Sequence, residues 1–442
     1  MTRFVFSIAV FSSLYLNGQV LNYTTSVKID DNVKTTETSL FIEISNKEEN
    51  WLSKVSIHHS PNQKFKLLYA QIIDANGKVV RELKKKDVRS RSLYSSEAFF
   101  QDDLEKSFDL YWGSYPYRIK YSYSISENEF FSLVRWWPTP FSNVRTDESI
   151  LRLEVPDDYG FLIDSTQNLL FSKRLTEEKT VYSWSAMNID RYEEEPFSPS
   201  YWELIPHVFA VPKRFQYGVS GSSSSWQEFG NWQAKLNEGT TQLPIKEQQI
   251  IDNLVRNASS KIEIIKKIYH YLQDKTTYVN VSIEKGGLKS YPASYVSRNK
   301  FGDCKALTTY MKAMLKHIGI DSYYTLIRAG ENEHNIVKTL PGQQFNHVIL
   351  TIPLNQDTIW LETTSQTSPF DYLGTFTQNR NALFIKEESE LVKTPKLSED
   401  DVLIEDKYFL ELNESGEGNF TLNRTSRGKE FEIISAHISS LT

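Results

Sequence analysis

Lys300-Phe301-Gly302-Asp303-Cys304-Lys305 is followed by Leu307, Met311, Met314, Leu315 and Ile318 at helical spacing, and then by Gly319. Those apolar residues share one face of a helix that Gly319 can end as its C′ residue. Asp303 has the chemistry of an N-cap, so Cys304 falls in or beside the first helical turn. Unpaired N–H groups and the positive end of the helix dipole favour a thiolate there, as does neighbouring Lys305. Two readings of the thiol stay open at this point: an activated nucleophile, or a buried small hydrophobe, the common fate of a free cysteine.

A base follows downstream. Phe345-Asn346-His347 leads into Val348-Ile349-Leu350-Thr351-Ile352-Pro353-Leu354, the turn Asn355-Gln356-Asp357, and Thr358-Ile359-Trp360-Leu361-Glu362-Thr363. The pattern predicts two strands and a tight turn. Val348, Leu350, Ile352 and Leu354 take one face of the first strand and Ile359 and Leu361 the matching face of the second, so parity puts His347 and Glu362 together on the opposite face. Pairing Leu350 with Leu361 sets Ile349 opposite Glu362 and makes His347 its diagonal neighbour at ~7–8 Å, within reach of a long side chain. A one-residue slip would separate them. Cys304, His347 and Glu362 then supply nucleophile, base and base-orienting carboxylate, with Asp371 and, more weakly, the turn residue Asp357 as substitutes for the acid. His317 lies far round the same helix from Cys304, and His334 sits in the polar stretch Gly330-Glu331-Asn332-Glu333-His334. Neither has an evident carboxylate partner on a strand. No spacing supports zinc on His58, His59 or His334, and neither a metal nor a cofactor is expected.

Gly286-Gly287, Tyr291-Pro292-Ala293, the Phe301-Gly302-Asp303-Cys304-Lys305 helix start, Phe345-Asn346-His347-Val348 and Trp360-Leu361-Glu362-Thr363-Thr364-Ser365-Gln366 resemble the transglutaminase-like superfamily. That resemblance implies a papain-type α+β core, here over residues 243–385, with Cys304 as nucleophile, His347 as general base and a third acid. The family's usual aspartate is replaced at that position by Glu362, one methylene longer. The whole chain resembles bacterial exported proteins in which a β-rich domain of unknown function precedes such a core, often with another β domain behind it. One oxyanion donor is expected to be the Cys304 backbone N–H; no side-chain donor is evident.

The remainder of the chain fits an α+β multidomain reading, since 442 residues exceed one core. Tyr117, Ile119, Tyr121, Tyr123 and Ile125 alternate with polar residues, and Leu67–Ile73, the Asp74-Ala75-Asn76-Gly77 turn and Val79-Val80 read as a hairpin. Residues 20–200 are therefore predicted to form an antiparallel β-rich domain. Prolines at 196, 199, 206 and 212 and the Gly218–Ser225 run give 201–242 the look of a linker, ending in a helix capped by Ser225 and Glu228. A second helix starts at Ser260 and Glu263, with Ile262, Ile265, Ile268 and Leu272 on one face. Residues 390–442 read as strands of a third, incomplete β domain.

Fifty basic against 56 acidic residues, with no basic block, exclude a nucleic-acid surface on composition. The single cysteine excludes an internal disulfide and cysteine-built metal clusters. Arg3, the apolar run Phe4–Leu16 and Asn17-Gly18-Gln19 have the layout of a signal peptide over residues 1–19, and no stretch is long enough for a membrane span. An exported chain without disulfides points to the periplasm or surface of a bacterium. The expected activity is thiol-dependent acyl transfer on a protein, peptide or cell-envelope amide, with hydrolysis favoured over cross-linking. The alternative is a non-catalytic binding or assembly protein.

Overall fold

The alternation around Tyr121 becomes the strand Tyr117–Glu127 within a sheet of eight. The computed structural model describes residues 18–439 apart from 93–99, 102, 194, 196–197, 200, 283–286, 331–332 and 356; the expected signal peptide lies outside the described residues up to residue 17. Across the sheet run Leu170–Leu175, Lys179–Ile189, Arg145–Pro156, Gln19–Asp30, Val33–Ile44, Tyr117–Glu127, Lys64–Ile73 and Val79–Glu82. Neighbours are antiparallel except Gln19–Asp30 beside Arg145–Pro156. One face of such a sheet can be dry and the other wet.

Two three-stranded sheets share the dry face. Lys54–His59, Leu104–Asp109 and Arg89–Ser92 cover one half, where Val55, Ile57 and Phe108 join Leu40, Ile42, Ile72 and Ile119 in one apolar cluster. Val134–Trp136, Val208–Pro212 and Phe161–Ser165 cover the other half, with Trp136 and Val208 among Val27, Ile29, Leu151 and Leu153. The expected hairpin forms between Lys64–Ile73 and Val79–Glu82, and Asp74 Oδ1 accepts from the N–H groups of Asn76 and Lys78 at 3.0 and 2.9 Å.

The 201–242 segment departs from its linker composition. Val208–Pro212 is the buried middle strand of its sheet. Its prolines do not break it, because Pro206 precedes the strand and Pro212 ends it, where a missing N–H costs little. The Gly/Ser run folds into the hairpin Arg214–Tyr217 and Val219–Ser222. Gly221 is needed there for close approach: a Cβ would stand 2.5 Å from the Phe215 ring and 2.6 Å from Trp232. The helix Trp226–Leu236 follows as expected, its Ser225 cap accepting from the Glu228 N–H at 3.1 Å and Phe229, Trp232 and Leu236 buried.

The core is a five-stranded antiparallel sheet in the order Thr358–Leu361, His347–Pro353, Tyr323–Ile327, Asn381–Ile385 and Glu390–Lys393. Against one face packs the helix Cys304–His317, whose Leu307, Met311, Met314 and Leu315 share a cluster with Leu350, Ile352, Ile359 and Leu361. Behind it lie Ile245–Val255 and Lys261–Lys275. In the latter helix Ile265, Ile268 and Leu272 are buried, while Ile262 in the first turn is exposed. The opposite sheet face carries Ile327, Ile349, Trp360 and Phe384.

Two features of the C-terminal segment differ from the strand reading. Glu390–Lys393 completes the core sheet instead of starting another domain. After the hairpin Leu403–Leu412 and Gly418–Arg427, residues Lys429–Ser439 form a helix. Phe431, Glu432, Ile434 and Ser435 are half-buried there, a helical repeat that the short apolar run disguises. No helix among the described residues is long and apolar enough to cross a membrane.

Candidate active site

Phe301–Gly302 pairs in parallel with Thr277–Tyr278, which steers the chain into the Cys304 helix. Asp303 caps that helix, its Oδ1 accepting from the Ala306 N–H at 2.8 Å. Its Oδ2 takes Lys305 Nζ at 2.5 Å, an ion pair in which the side chains are 1% and 11% exposed. Burial opposes the Lys305 charge, but neighbouring Cys304 and Asp303 outweigh burial and raise its pKa above 10.5. Cys304 itself is buried, in the first turn.

His347 is the first residue of its strand. That start is pinned by Asn346, whose Oδ1 accepts from the Ala329 N–H at 2.7 Å and whose Nδ2 donates to the Ala329 carbonyl at 2.9 Å. Leu350 pairs with Leu361, the register that parity requires. Glu362, one residue past the strand end, places Oε2 2.9 Å from His347 Nε2. Its Oε1 accepts from the Thr364 N–H at 3.1 Å and the Thr364 hydroxyl at 2.6 Å, so both carboxylate oxygens are engaged. The longer glutamate is thereby accommodated by leaving the strand before it turns back.

Cys304 lies close enough to the His347 ring to raise its proton affinity. With Nε2 turned to Glu362, Nδ1 is the ring nitrogen left for the thiol. Burial disfavours the imidazolium, but the Glu362 charge, the neighbouring Cys304 and the hydrogen bond that the ring gives to Glu362 prevail and raise the pKa from 6.5 to about 10. Burial likewise pushes the Glu362 carboxyl up, and the His347 charge with the hydrogen bonds from His347 and Thr364 brings it below 4.5. The geometry holds an imidazole between a thiol and a carboxylate, as proton transfer at a nucleophile requires.

Several supporting residues carried no pattern of their own in the sequence. Thr308 on the helix bonds Thr363 hydroxyl to hydroxyl at 2.7 Å, tying the Cys304 helix to the segment that carries Glu362. Tyr269 donates to the Glu362 carbonyl at 2.9 Å, and Gln273 Nε2 donates to the carbonyls of Ser365 and Ser368 at 3.0 and 2.9 Å. Tyr324 is fully buried, its phenol held well above 10 by burial and then by the charges of Cys304 and Asp303. Such partners are chosen by packing and no periodicity announces them.

The other candidates are engaged elsewhere. Asp371 accepts from the Trp360 N–H at 2.9 Å, and Asp357 caps the turn before Thr358. His317 pairs with Asp252 at 2.8 Å, His334 bonds the Asn335 carbonyl, His59 the Ser60 carbonyl, and His58 lies 3.6 Å from Glu105. Among the described residues no group of three or more His, Cys, Asp or Glu is arranged to hold a metal. An open cleft of about 1520 Å³ lined by Lys213, Glu228 and Lys235 lies between the β-rich domain and the Trp226–Leu236 helix, and neither Cys304 nor His347 lines it.

Residues 32–193 match a domain of unknown function with a solved structure, DUF3857. Residues 248–363 match the family described as the transglutaminase-like superfamily, a span that holds Cys304, His347 and Glu362. No curated protein matches the sequence. Among solved structures, a "putative protease" from Parabacteroides distasonis superposes with a TM-score of 0.65 at 13% identity, over 86% of this chain and 72% of that one. An M1 zinc metallopeptidase from Deinococcus radiodurans reaches a TM-score of only 0.23 at 9% identity, over 54% of this chain and 53% of that one. The first of these shares the fold; the second carries no argument.

Proposed function

We propose that this chain, whose residues 248–363 belong to the transglutaminase-like superfamily, is an exported cysteine-dependent peptidase or amidase. Cys304 Sγ attacks the amide carbonyl carbon, and the oxyanion forms beside the Cys304 backbone N–H at the helix start. His347 gives a proton to the leaving amine as the carbon–nitrogen bond breaks, leaving an acyl-thioester. Water then gives a proton to His347 as it attacks the thioester, and the acid departs with Cys304 restored as the thiolate beside the imidazolium. Glu362 holds the ring and balances its charge throughout. Water is preferred to an amine as acceptor because it needs no site of its own.

The observation that carries this reading is one imidazole held by Glu362 at 2.9 Å and raised in proton affinity by Cys304 beside it. The protein of similar fold described as a protease agrees with it. Export to a bacterial periplasm or surface belongs to the same proposal and rests on Arg3 and the run Phe4–Leu16. An electrophilic amide mimic is expected to label Cys304 in the native protein and fail in His347→Ala, and Cys304→Ala is expected to abolish peptide hydrolysis. Equal labelling of both proteins would remove the activated thiol.

A further inference from the structure

Phe376 is a large apolar side chain left 50% exposed at the rim of this site, its ring edge-on to His347 with centroids 5.4 Å apart. Its place is built from two sides. The Phe376 carbonyl accepts from the Gly330 N–H at 2.9 Å. The loop just before it is clamped by Glu432 of the C-terminal helix: Oε1 accepts from the Tyr372 hydroxyl at 2.5 Å and the Thr375 N–H at 3.0 Å, and Oε2 from the Thr375 hydroxyl at 2.5 Å. Gly374 leaves room for that carboxylate, since a Cβ there would stand 2.3 Å from Glu432 Oε1. Phe431 adds an edge contact to Tyr372.

The chemistry of the site gives this ring a position along the substrate. The leaving amine must reach the His347 proton, so it departs on the His347 side of Cys304. The residue that carries that amine then passes over the imidazole and meets Phe376. We propose that Phe376 is the specificity-determining wall for the residue on the amine side of the scissile bond, with Glu432 as the positioning residue that holds it. The substrate class is an amide whose amine half begins with a bulky apolar, best an aromatic, side chain. The inference rests on the acyl-transfer reading above and adds which substrates that chemistry selects.

Two dipeptidyl vinyl sulfones, alike except for phenyl or methyl on the sulfone, test it on the full chain. The Cys304 sulfur adds to the alkene carbon β to the sulfone, which carries the peptide half, the α carbon takes a proton, and nothing leaves, so the sulfone substituent stays where the amine half would lie. Labelling rates are read by intact mass and normalised to the same reagents with free glutathione. The unaltered protein is expected to favour the phenyl reagent about tenfold, the discrimination an apolar pocket supplies. Phe376→Ala is expected to bring the ratio close to one whatever happens to the absolute rates, Phe376→Leu to keep part of it, and Glu432→Gln to lower it a few-fold with Glu432→Asp closer to the unaltered value. A ratio near one in the unaltered protein, with Cys304 labelled, overturns this inference alone; so does an unchanged ratio in Phe376→Ala. Failure of both reagents to label Cys304 overturns the acyl-transfer reading, and this inference with it.

Discussion

Glu362 and His347 bond at 2.9 Å with side chains 13% and 8% exposed, so each sets the charge of the other in a nearly dry place. Glu362→Gln keeps the shape but offers the ring an amide, which tolerates the wrong tautomer; turnover is expected to fall at least about 100-fold with a much smaller change in substrate binding. Glu362→Asp retains charge and loses reach, so it should keep more activity than the glutamine variant. Steady-state kinetics decide this, and unchanged turnover in Glu362→Gln would strike the residue from the site. The pair also shapes stability against pH. Because the His347 pKa rises from 6.5 to about 10, its contribution is complete below 6.5 and is lost as the pH climbs through about 10. Glu362 is lowered from 4.5, so its part is complete above 4.5 and is lost as the pH falls through the folded value. The urea midpoint of the native protein relative to His347→Gln should therefore be highest between about pH 4.5 and 6.5 and converge above about 10.

At the scale of the element, the Cys304 helix begins on a side chain with two tasks. Asp303 caps the Ala306 N–H with one oxygen and neutralises buried Lys305 with the other. Asn in its place can still cap through its carbonyl oxygen but removes the carboxylate paired with a nearly buried ammonium. Asp303→Asn is thus expected to cost about 3 kcal/mol in urea unfolding, the scale for breaking a buried pair on one side, and adding Lys305→Met should recover most of it. A loss below ~0.5 kcal/mol would mean that Lys305 finds water instead. The neighbouring hairpin depends on register in a different way: sliding Thr358–Leu361 by one residue would turn Ile359 and Leu361 out of the helix-facing cluster and Glu362 away from His347 together.

Across the whole molecule, the sheet that carries His347 is held by segments that precede it and follow it in the chain. The 208–236 segment enters the β-rich domain as a buried strand and returns as the helix whose Phe229 and Trp232 join Cys304, Tyr324 and Val348 in one cluster. From the other end, Glu432 clamps the loop before Phe376. The hairpin Leu403–Arg427 lies outside these contacts, with Tyr408, Phe409, Leu410 and Phe420 exposed. Brief digestion with a protease of broad specificity is expected to cut within 403–427 before 208–236, because cleavage needs local opening and, of these two segments, the hairpin opens without breaking a core. First cuts in 208–222 would show that Val208–Pro212 is held more loosely than its burial implies.

Local pattern was enough for the capped Cys304 helix, the 347–361 hairpin and its parity, and the alternating strands of the first domain, because each depends on periods of two or 3.6 within a short window. It was also enough to set Cys304 at a helix start and to bring His347 and Glu362 together, since helix starts and strand faces are local properties. It misread 208–222, where proline and glycine mark a strand end and a close approach, and 429–439, where few apolar residues leave the period ambiguous. Asn346, Thr364, Tyr324, Phe376 and Glu432 took their places only through contacts with residues distant in the chain or through a loop's path. A side chain acquires such a partner when packing brings the two segments together, and the energy of that meeting is written in neither segment alone.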